Sequence, residues 1–257
     1  MPGQRPLREA DIIYSYDGSL AGFFCCVFES FARRELPFAI WDPEAEQPSL
    51  CPVRDIPTDP ERAARVRRGI RTKLGPAAGE KMAVAFLSGQ TDKELVLLRF
   101  LHHAFSVGPG ALRQLGRPEV AAVNNLERNV QWEAEKLRGF VRFEESGGML
   151  GAVIHPKNHV LPLLRPFFCA RIGGEDFLIY DASHSEVLLH QGGQTRLEKL
   201  SAPLTLPEPD AAEAECQRLW KQFYETLAIA GRRNERGRMN HCPKRYWADM
   251  TELRDQV

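Results

Sequence analysis

Residues 139–181 read GFVRFEESGGMLGAVIHPKNHVLPLLRPFFCARIGGEDFLIYD, and this stretch decides the predicted fold. It holds four short runs of apolar, β-forming residues. One Gly-Gly pair lies between the first and second runs, and another lies between the third and fourth. Short apolar runs broken by glycine turns are typical of hairpins in an antiparallel sheet. The predicted strands are 140–143, 149–154, 167–172 and 177–180.

The flanking sequence extends this sheet and surrounds it with helical patterns. Two more strands are predicted at 186–190 and 195–200, around a Gly-Gly turn, and short strands at 11–16 and 38–41. The sequence therefore predicts an α+β fold, in which an antiparallel sheet from the 139–200 region is packed by N- and C-terminal helices. The predicted helices are 19–34, 59–74, 80–87, 92–105, 118–139 and 211–230.

Capping residues and apolar stripes support these helices. Ser19 and Asp59 are predicted N-caps, and Thr91 with Glu94 is predicted to form a capping box. In the last helix an apolar stripe is expected to face inward. Its members are Cys216, Leu219, Trp220, Phe223, Tyr224 and Leu227.

Chain length sets the domain organisation. A chain of 257 residues can form one large domain or two smaller ones. We expect a single α+β domain over residues 1–257, with one place where it could divide. That place is the connection at 109–118, which would separate a mainly helical part, 1–110, from an α+β part, 118–257.

Composition indicates a protein of the cytoplasm. Lys+Arg and Asp+Glu are equal at 34 each, so net charge alone favours neither nucleic acid nor membrane. The six cysteines form no CxxC pair, which is typical of a reducing compartment. We find neither a secretory signal nor an apolar run long enough to span a bilayer, so no membrane partner is expected.

The strongest local charge segregation lies near the C-terminus, where residues 231–245 hold six Lys and Arg against one acid, Glu235. Guanidinium groups bind phosphate and exposed aromatic rings stack on unpaired bases, so this segment is a candidate nucleic-acid interface. The alternative is that its rings pack inward and its arginines are solvated or ion-paired. The candidate contacts are Arg142, Arg232, Arg233, Asn234, Arg238, Lys244, Arg245, Tyr246 and Trp247.

A second basic feature lies on the predicted helix 59–74. A helix face of this kind can follow a phosphate backbone, and it can equally be an ordinary amphipathic surface. Its cationic residues are Arg62, Arg65, Arg67, Arg68, Arg71 and Lys73.

Catalytic and metal-binding motifs do not stand out. His155 and His159 flank a proline that prevents helical i, i+4 pairing, so no metal site is predicted. His184 lies near Asp181 and two serines, but neighbouring strand residues point to opposite faces, so no triad is expected. Phosphate-loop and dinucleotide motifs are missing, and no cofactor and no catalytic residue is assigned. Cys242 in its basic setting could be a reactive thiol, although a small buried residue is the commoner case.

The chain resembles, over about residues 11–252, the family of probable DNA metabolism proteins. The motifs that carry the resemblance are YDGSLAGFFCCVFESF (16–31), ERAARVRRGI (61–70), GFVRF (139–143), LIYD (178–181), LWKQFYETLAI (219–229), RRN (232–234) and PKRYW (243–247). The family is a domain of unknown function whose members are encoded beside a radical-SAM protein of DNA modification or repair. A related domain is fused to uracil-DNA-glycosylase-like proteins. Histidines of the family pattern are replaced here at Glu135 and at Phe167, and its methionine before PKRYW at Cys242.

The resemblance implies a role linked to DNA. The leading expectation is a nucleic-acid-binding or accessory protein that works with the radical-SAM enzyme. One alternative is a hydrolase or glycosylase acting on damaged DNA through groups such as Asp181, Glu133 and His155. The other is a protein-docking module with no DNA contact, which an exposed apolar patch would favour.

Overall fold

The computed structural model describes residues 7–43, 48–227 and 234–256, and it confirms the α+β fold class. The chain divides into two compact units, Met1–Val130 and Gln131–Val257. The division falls inside a long helix, later in the chain than the 109–118 connection.

The first unit contains a parallel sheet with helices. Strand order is β2-β1-β3, and α1 is the crossover between β1 and β2. Buried side chains of β1, β2 and the five helices α1 to α5 form its core. Its elements are β1 Arg8–Ser15, α1 Leu20–Arg33, β2 Glu35–Trp41, β3 Val53–Asp55, α2 Pro60–Leu74, α3 Pro76–Phe86, α4 Lys93–Val107 and α5 Pro118–Phe140, which continues into the second unit.

Two of the three predicted caps in this unit are confirmed. Ser19 Oγ accepts from Gly22 N at 2.9 Å, and Asp59 Oδ1 accepts from the first turn of α2. The capping box is wrong, because Glu94 lies buried and its carboxylate accepts a hydrogen bond from Tyr16 Oη at 2.8 Å. Long-range pairing with the end of β1 has replaced the local cap.

The second unit is built on a five-stranded mixed sheet of order β4-β5-β6-β7-β8. β5 and β6 are parallel, joined by α6, and the other three pairs are antiparallel. The antiparallel prediction is therefore only partly right. The elements are β4 Glu144–Ser146, β5 Met149–Ile154, α6 Leu161–Ile172, β6 Phe177–Asp181, β7 Glu186–Gln191, β8 Gln194–Lys199, α7 Ala211–Leu227 and α8 Glu235–His241.

Two predicted strands are wrong. The run 167–172 belongs to α6, where Leu161, Leu164 and Phe168 are buried at helical spacing. The run 140–143 begins with the last residue of α5 and then continues as irregular chain to β4. Both runs are apolar enough for either structure, and packing against the sheet decided in favour of helix for the first.

Most of the apolar stripe of α7 is exposed, contrary to prediction. Leu219, Phe223 and Leu227 are 50%, 53% and 62% exposed, and no residue of α7 is buried. The half-buried Tyr224 packs against the buried cluster that contains Trp247. Polar contacts also hold the helix, since Glu213 accepts from Glu145 N and Lys221 pairs with Asp255. The predicted end of this helix, 228–230, lies outside the described residues.

Across the residues that the structure describes, no helix is both long and apolar enough to cross a membrane.

Candidate functional site

A buried carboxylate, Glu133, organises the end of the second unit. It lies on α5 and is 3% exposed. Backbone N–H groups of Lys157 and Asn158 donate to it at 2.8–3.1 Å, and the Asn158 amide adds a bond at 2.5 Å. Arg245 and the Tyr246 hydroxyl complete the shell at 2.9 and 2.7 Å. With so many donors, this carboxylate is an anchor for two loops and is not available as a catalytic acid.

The two rings of the PKRYW motif are buried. Tyr246 is 1% and Trp247 is 2% exposed. Burial raises the pKa of the Tyr246 phenol, so the hydroxyl stays protonated and donates to Glu133. Trp247 Nε1 donates to the carbonyl of Cys242 at 2.8 Å. Both rings therefore pack inward, which is the alternative that the sequence left open for this segment.

Cations cover the buried rings. The guanidinium of Arg238 lies 4.3 Å from the Trp247 ring centroid, and Lys244 Nζ lies 5.5 Å from the same centroid. Arg238 also pairs with Glu235 at 2.6 Å, and Asn234 caps α8 by accepting from Gly237 N at 2.8 Å. These groups are arranged as a folded cap over an aromatic core.

Arg142 is also committed inside the unit. Its guanidinium binds both carboxylate oxygens of Glu252, at 3.3 and 2.7 Å, and lies 5.8 Å from the Trp220 ring centroid. Its remaining donor bonds the carbonyls of Gly139 and Val141. Bidentate pairing of this kind leaves little capacity for a phosphate.

The structure thus brings the predicted contacts together as a packing network. Arg245 and Tyr246 meet at Glu133, while Arg238 and Lys244 meet at Trp247. Arg232 and Arg233 lie outside the described residues. A nucleic-acid role for these side chains stays a prediction.

The thiol of Cys242 is partly buried, and burial raises its pKa. Its Sγ donates a hydrogen bond to the Met250 sulfur at 3.5 Å. A neutral, packed thiol is a poor nucleophile, which favours the structural role over the reactive one.

Three histidine–carboxylate pairs lie where the parallel strands β5 and β6 end. His155 Nδ1 is 2.8 Å from Asp249, and His159 Nδ1 is 3.3 Å from Glu186. His184 Nδ1 is 2.7 Å from Asp181, whose other oxygen accepts from the backbone N–H of the same histidine. The rings of His159 and His184 are 3.9 Å apart.

Residues 182–185 explain why sequence reasoning missed the Asp181–His184 pair. They form a turn instead of a strand, so alternation does not separate the two side chains. The buried Asp181 carboxylate holds a proton on His184 Nδ1 and orients the ring, as an acid–base dyad requires. Over the described ranges, no group of three or more His, Cys, Asp or Glu side chains is placed to hold a metal ion.

The outer face of α2 differs from the C-terminal segment because its cations are exposed and mostly without carboxylates. Arg62 lies 3.4 Å from Asp59. Within the described part of the chain, no carboxylate comes within ion-pair distance of the other five cations. These are Arg65, Arg67, Arg68, Arg71 and Lys73, all of them exposed.

A concavity of about 520 Å³ borders this face. The half-buried ring of Phe28 forms its floor, with the guanidinium groups of Arg62 and Arg65 at 5.3 and 5.6 Å from the centroid. Arg68 lines the same hollow. Cation–π contacts hold these side chains near the ring while leaving their N–H groups available to an anion.

The chain matches one known family of protein domains. Residues 91–252, more than half of its length, match the domain of unknown function DUF4130. The chain belongs to the DUF4130 family. No curated protein shows a significant match to it.

Three of the clusters described above lie inside the residues that match DUF4130, and the α2 face lies outside them. Glu133, the histidine–carboxylate pairs and the PKRYW network all lie inside the matched residues. The α2 face lies before them. Sequence reasoning named the α2 cations but could not tell exposed, carboxylate-free groups from paired ones, because that distinction depends on what packs nearby.

Proposed function

We propose that this DUF4130 protein binds nucleic acid through the outer face of α2 and serves as an accessory to a radical-SAM enzyme of DNA repair or modification. The observation that carries the proposal is the set of exposed cations on α2 that have no carboxylate partner among the described residues. Arg65 and Arg68 are spaced i, i+3, and Arg71 lies one turn beyond Arg67. Their N–H groups remain open to phosphate oxygens.

The contrast with the C-terminal segment supports the choice of α2. Arg142 and Arg245 bind internal carboxylates, so a phosphate would have to displace an ion pair already formed. The cations of α2 need no such exchange. Because net charge is zero, such local segregation is the route by which this chain can attract a polyanion.

Removal of three α2 charges tests the interface. Arg65→Gln, Arg68→Gln and Arg71→Gln combined should weaken binding of a labelled oligonucleotide at least tenfold at about 50 mM salt, and should reduce the salt slope by roughly 3. Fluorescence anisotropy over a salt series measures both. The matched control is Arg196→Gln on β8, an arginine 63% exposed beside Glu198, which should change binding little. Wild-type protein that binds neither single- nor double-stranded DNA at low salt rules the proposal out.

The accessory role has its own experiment. Co-expression with a radical-SAM protein of the kind that the resembled family is encoded beside should yield a complex by size-exclusion chromatography. Two proteins that elute separately at all concentrations would remove the accessory part and leave DNA binding standing.

A second candidate, a hydrolase acting on damaged DNA, is favoured by the Asp181–His184 pair. An oriented imidazole beside a buried carboxylate can accept a proton from water. In that case purified protein should cleave oligonucleotides that contain a damaged base, and His184→Gln should abolish the cleavage. His103→Gln, a change at a half-exposed histidine on α4, should not. A full panel of damaged substrates left intact by wild type would exclude this candidate.

A further inference from the structure

A cavity of about 290 Å³ beside β5 has features that the α2 face does not explain. Leu206, Pro207 and Pro209 give it apolar walls, and Ala248 is exposed among its lining residues. The remaining walls are ionisable. Those side chains are Arg142, Glu144, Glu208, Asp249 and Arg254.

One wall of the cavity is an open strand edge. β4 pairs with β5 only as far as Glu144 opposite Gly151. The backbone bonds of Leu150 and Ile154 run toward β6. The backbone N–H and C=O groups of successive residues alternate between the two edges of a strand. Those of Val153, which lines the cavity, therefore point away from β6, at a position that β4 is too short to reach. In the described part of the chain no turn or loop backbone bonds to Val153.

Two buried polar atoms in the lining residues lack partners. The Asp249 side chain is 10% exposed, and its Oδ1 is 2.8 Å from His155 Nδ1. Among the described residues, Asp249 Oδ2 and Arg254 Nε have no hydrogen bond. Buried groups without partners are uncommon in folded proteins, and they concentrate where a ligand or water completes the structure.

Charge excludes one class of ligand. Three carboxylates line the cavity, and both of its guanidinium groups are already paired, Arg142 with Glu252 and Arg254 with Glu144. A phosphate group would meet net negative charge. A neutral, planar ring with a donor and an acceptor on one edge would match Val153 and Asp249, and its faces would lie against proline and leucine.

We propose that this cavity binds a single unstacked nucleobase, with its polar edge on the Val153 backbone and Asp249 and one face against Leu206 and Pro207. The volume of about 290 Å³ is large enough for one base. This inference rests on the proposed function only in that a bound nucleic-acid strand would supply the base. The site itself is independent of α2.

Titration of the ¹⁵N-labelled full chain with uncharged nucleosides tests the site. Cytidine, adenosine, uridine and guanosine are added singly to about 10 mM, since a ligand of this size in an open cavity should bind with a Kd on the order of 1 mM. At least one should shift the Val153 amide resonance. Asp249→Asn should weaken that nucleoside about tenfold, because it removes a charged hydrogen-bond acceptor.

Two bulky substitutions separate occupancy from non-specific effects. Ala248→Phe places a ring in the lining of the cavity and should abolish the Val153 shift. Ala202→Phe, at an exposed residue that does not line the cavity, should leave the shift unchanged. The inference is overturned if no nucleoside moves Val153, or if Ala248→Phe binds as wild type does.

The α2 variant distinguishes this inference from the proposed function. The triple glutamine change on α2 should preserve nucleoside binding, because nucleosides carry no phosphate. Oligonucleotide binding without nucleoside binding would remove the base site alone. Nucleoside binding without oligonucleotide binding would remove the α2 interface alone.

Discussion

At the scale of single residues, Glu133 is a buried carboxylate that accepts several hydrogen bonds at once. Its carboxylate bonds two backbone amides, the Asn158 amide, Arg245 and Tyr246. Glu133→Ala should therefore lower the free energy of unfolding by about 3–5 kcal/mol, because it leaves buried donors and a guanidinium without a partner. Urea denaturation measures the loss.

A neighbouring glutamate provides the control for Glu133. Glu135 lies on the same helix with its side chain 71% exposed and pairs with Arg138. Glu135→Ala should change the free energy of unfolding by less than about 0.5 kcal/mol. Equal losses for the two variants would show that the Glu133 network does not form in solution.

His102 should make the stability of the first unit depend on pH. Ser30 Oγ donates to the carbonyl of Glu35 at 2.6 Å, so His102 Nε2, 2.8 Å from the same oxygen, must be the donor to it. Burial lowers the pKa of His102 from 6.5 to about 4. Between these values the unfolded chain binds more protons, so stability should fall by roughly 2–3 kcal/mol as pH decreases through this window.

Replacement of the ring isolates this effect. His102→Gln keeps a donor for Ser30 but removes the titrating group, so its stability should lose less between about pH 7 and pH 4 than that of wild type. Parallel slopes for the two proteins would contradict the assignment.

The sequence indicates which cations and rings lie near each other only where the residues are close along the chain. Arg238 and Arg245 lie close in sequence to Trp247 and Tyr246, and the structure places each guanidinium over one of these rings. Sequence could not show that Tyr246 is buried, since Glu133, which accepts the hydrogen bond from its hydroxyl, lies 113 positions away. Long-range partners decide whether a cation is free.

At the scale of elements, the junction of β1 and α1 depends on one glycine. A Cβ on Gly22 would overlap Asp17 Oδ1 and lie 2.8 Å from Thr58 Oγ1. Asp17 cannot move aside easily, because Ser19 and Thr58 both donate to it. Gly22→Ala should therefore destabilise the fold by about 1–3 kcal/mol.

A second helical glycine gives the opposite expectation. A Cβ on Gly69 in α2 would meet only the ring of Phe105 at 3.8 Å, an ordinary contact. Gly69→Ala should stabilise the protein by about 0.5–1 kcal/mol, as alanine is the better helix former. Thermal unfolding of both variants checks the pair, and a shift of the same sign in both would contradict this account.

The helices were predicted well where caps and stripes agree, as in α1 and α2. α6 was missed because its two prolines and its short apolar runs resemble strand boundaries. α7 was correctly predicted as a helix, but most of its apolar stripe is exposed. An apolar stripe indicates a helix, while the side that packs is set by partners such as Glu252, which accepts a hydrogen bond from Trp220 Nε1 at 2.9 Å.

At the scale of the whole molecule, the parallel pairing of β5 and β6 changes which residues meet. If β5 and β6 were antiparallel, the loop after β5 and the turn after β6 would lie at opposite ends of the sheet. The α6 crossover brings them to one edge, where the histidine–carboxylate pairs lie. The sequence predicts a strand at 167–172, where α6 lies. An antiparallel strand in that position would not bring these pairs together.

Two separate buried clusters predict two unfolding transitions. One core lies within Met1–Val130, and another lies within Gln131–Val257. Because each unit has its own core, Glu133→Ala should lower the midpoint of one transition only. His102→Gln should alter only the other, most visibly at low pH. Hydrogen exchange followed by mass spectrometry assigns each transition to its peptides. A single transition shifted by both substitutions would show that the two units unfold as one cooperative body.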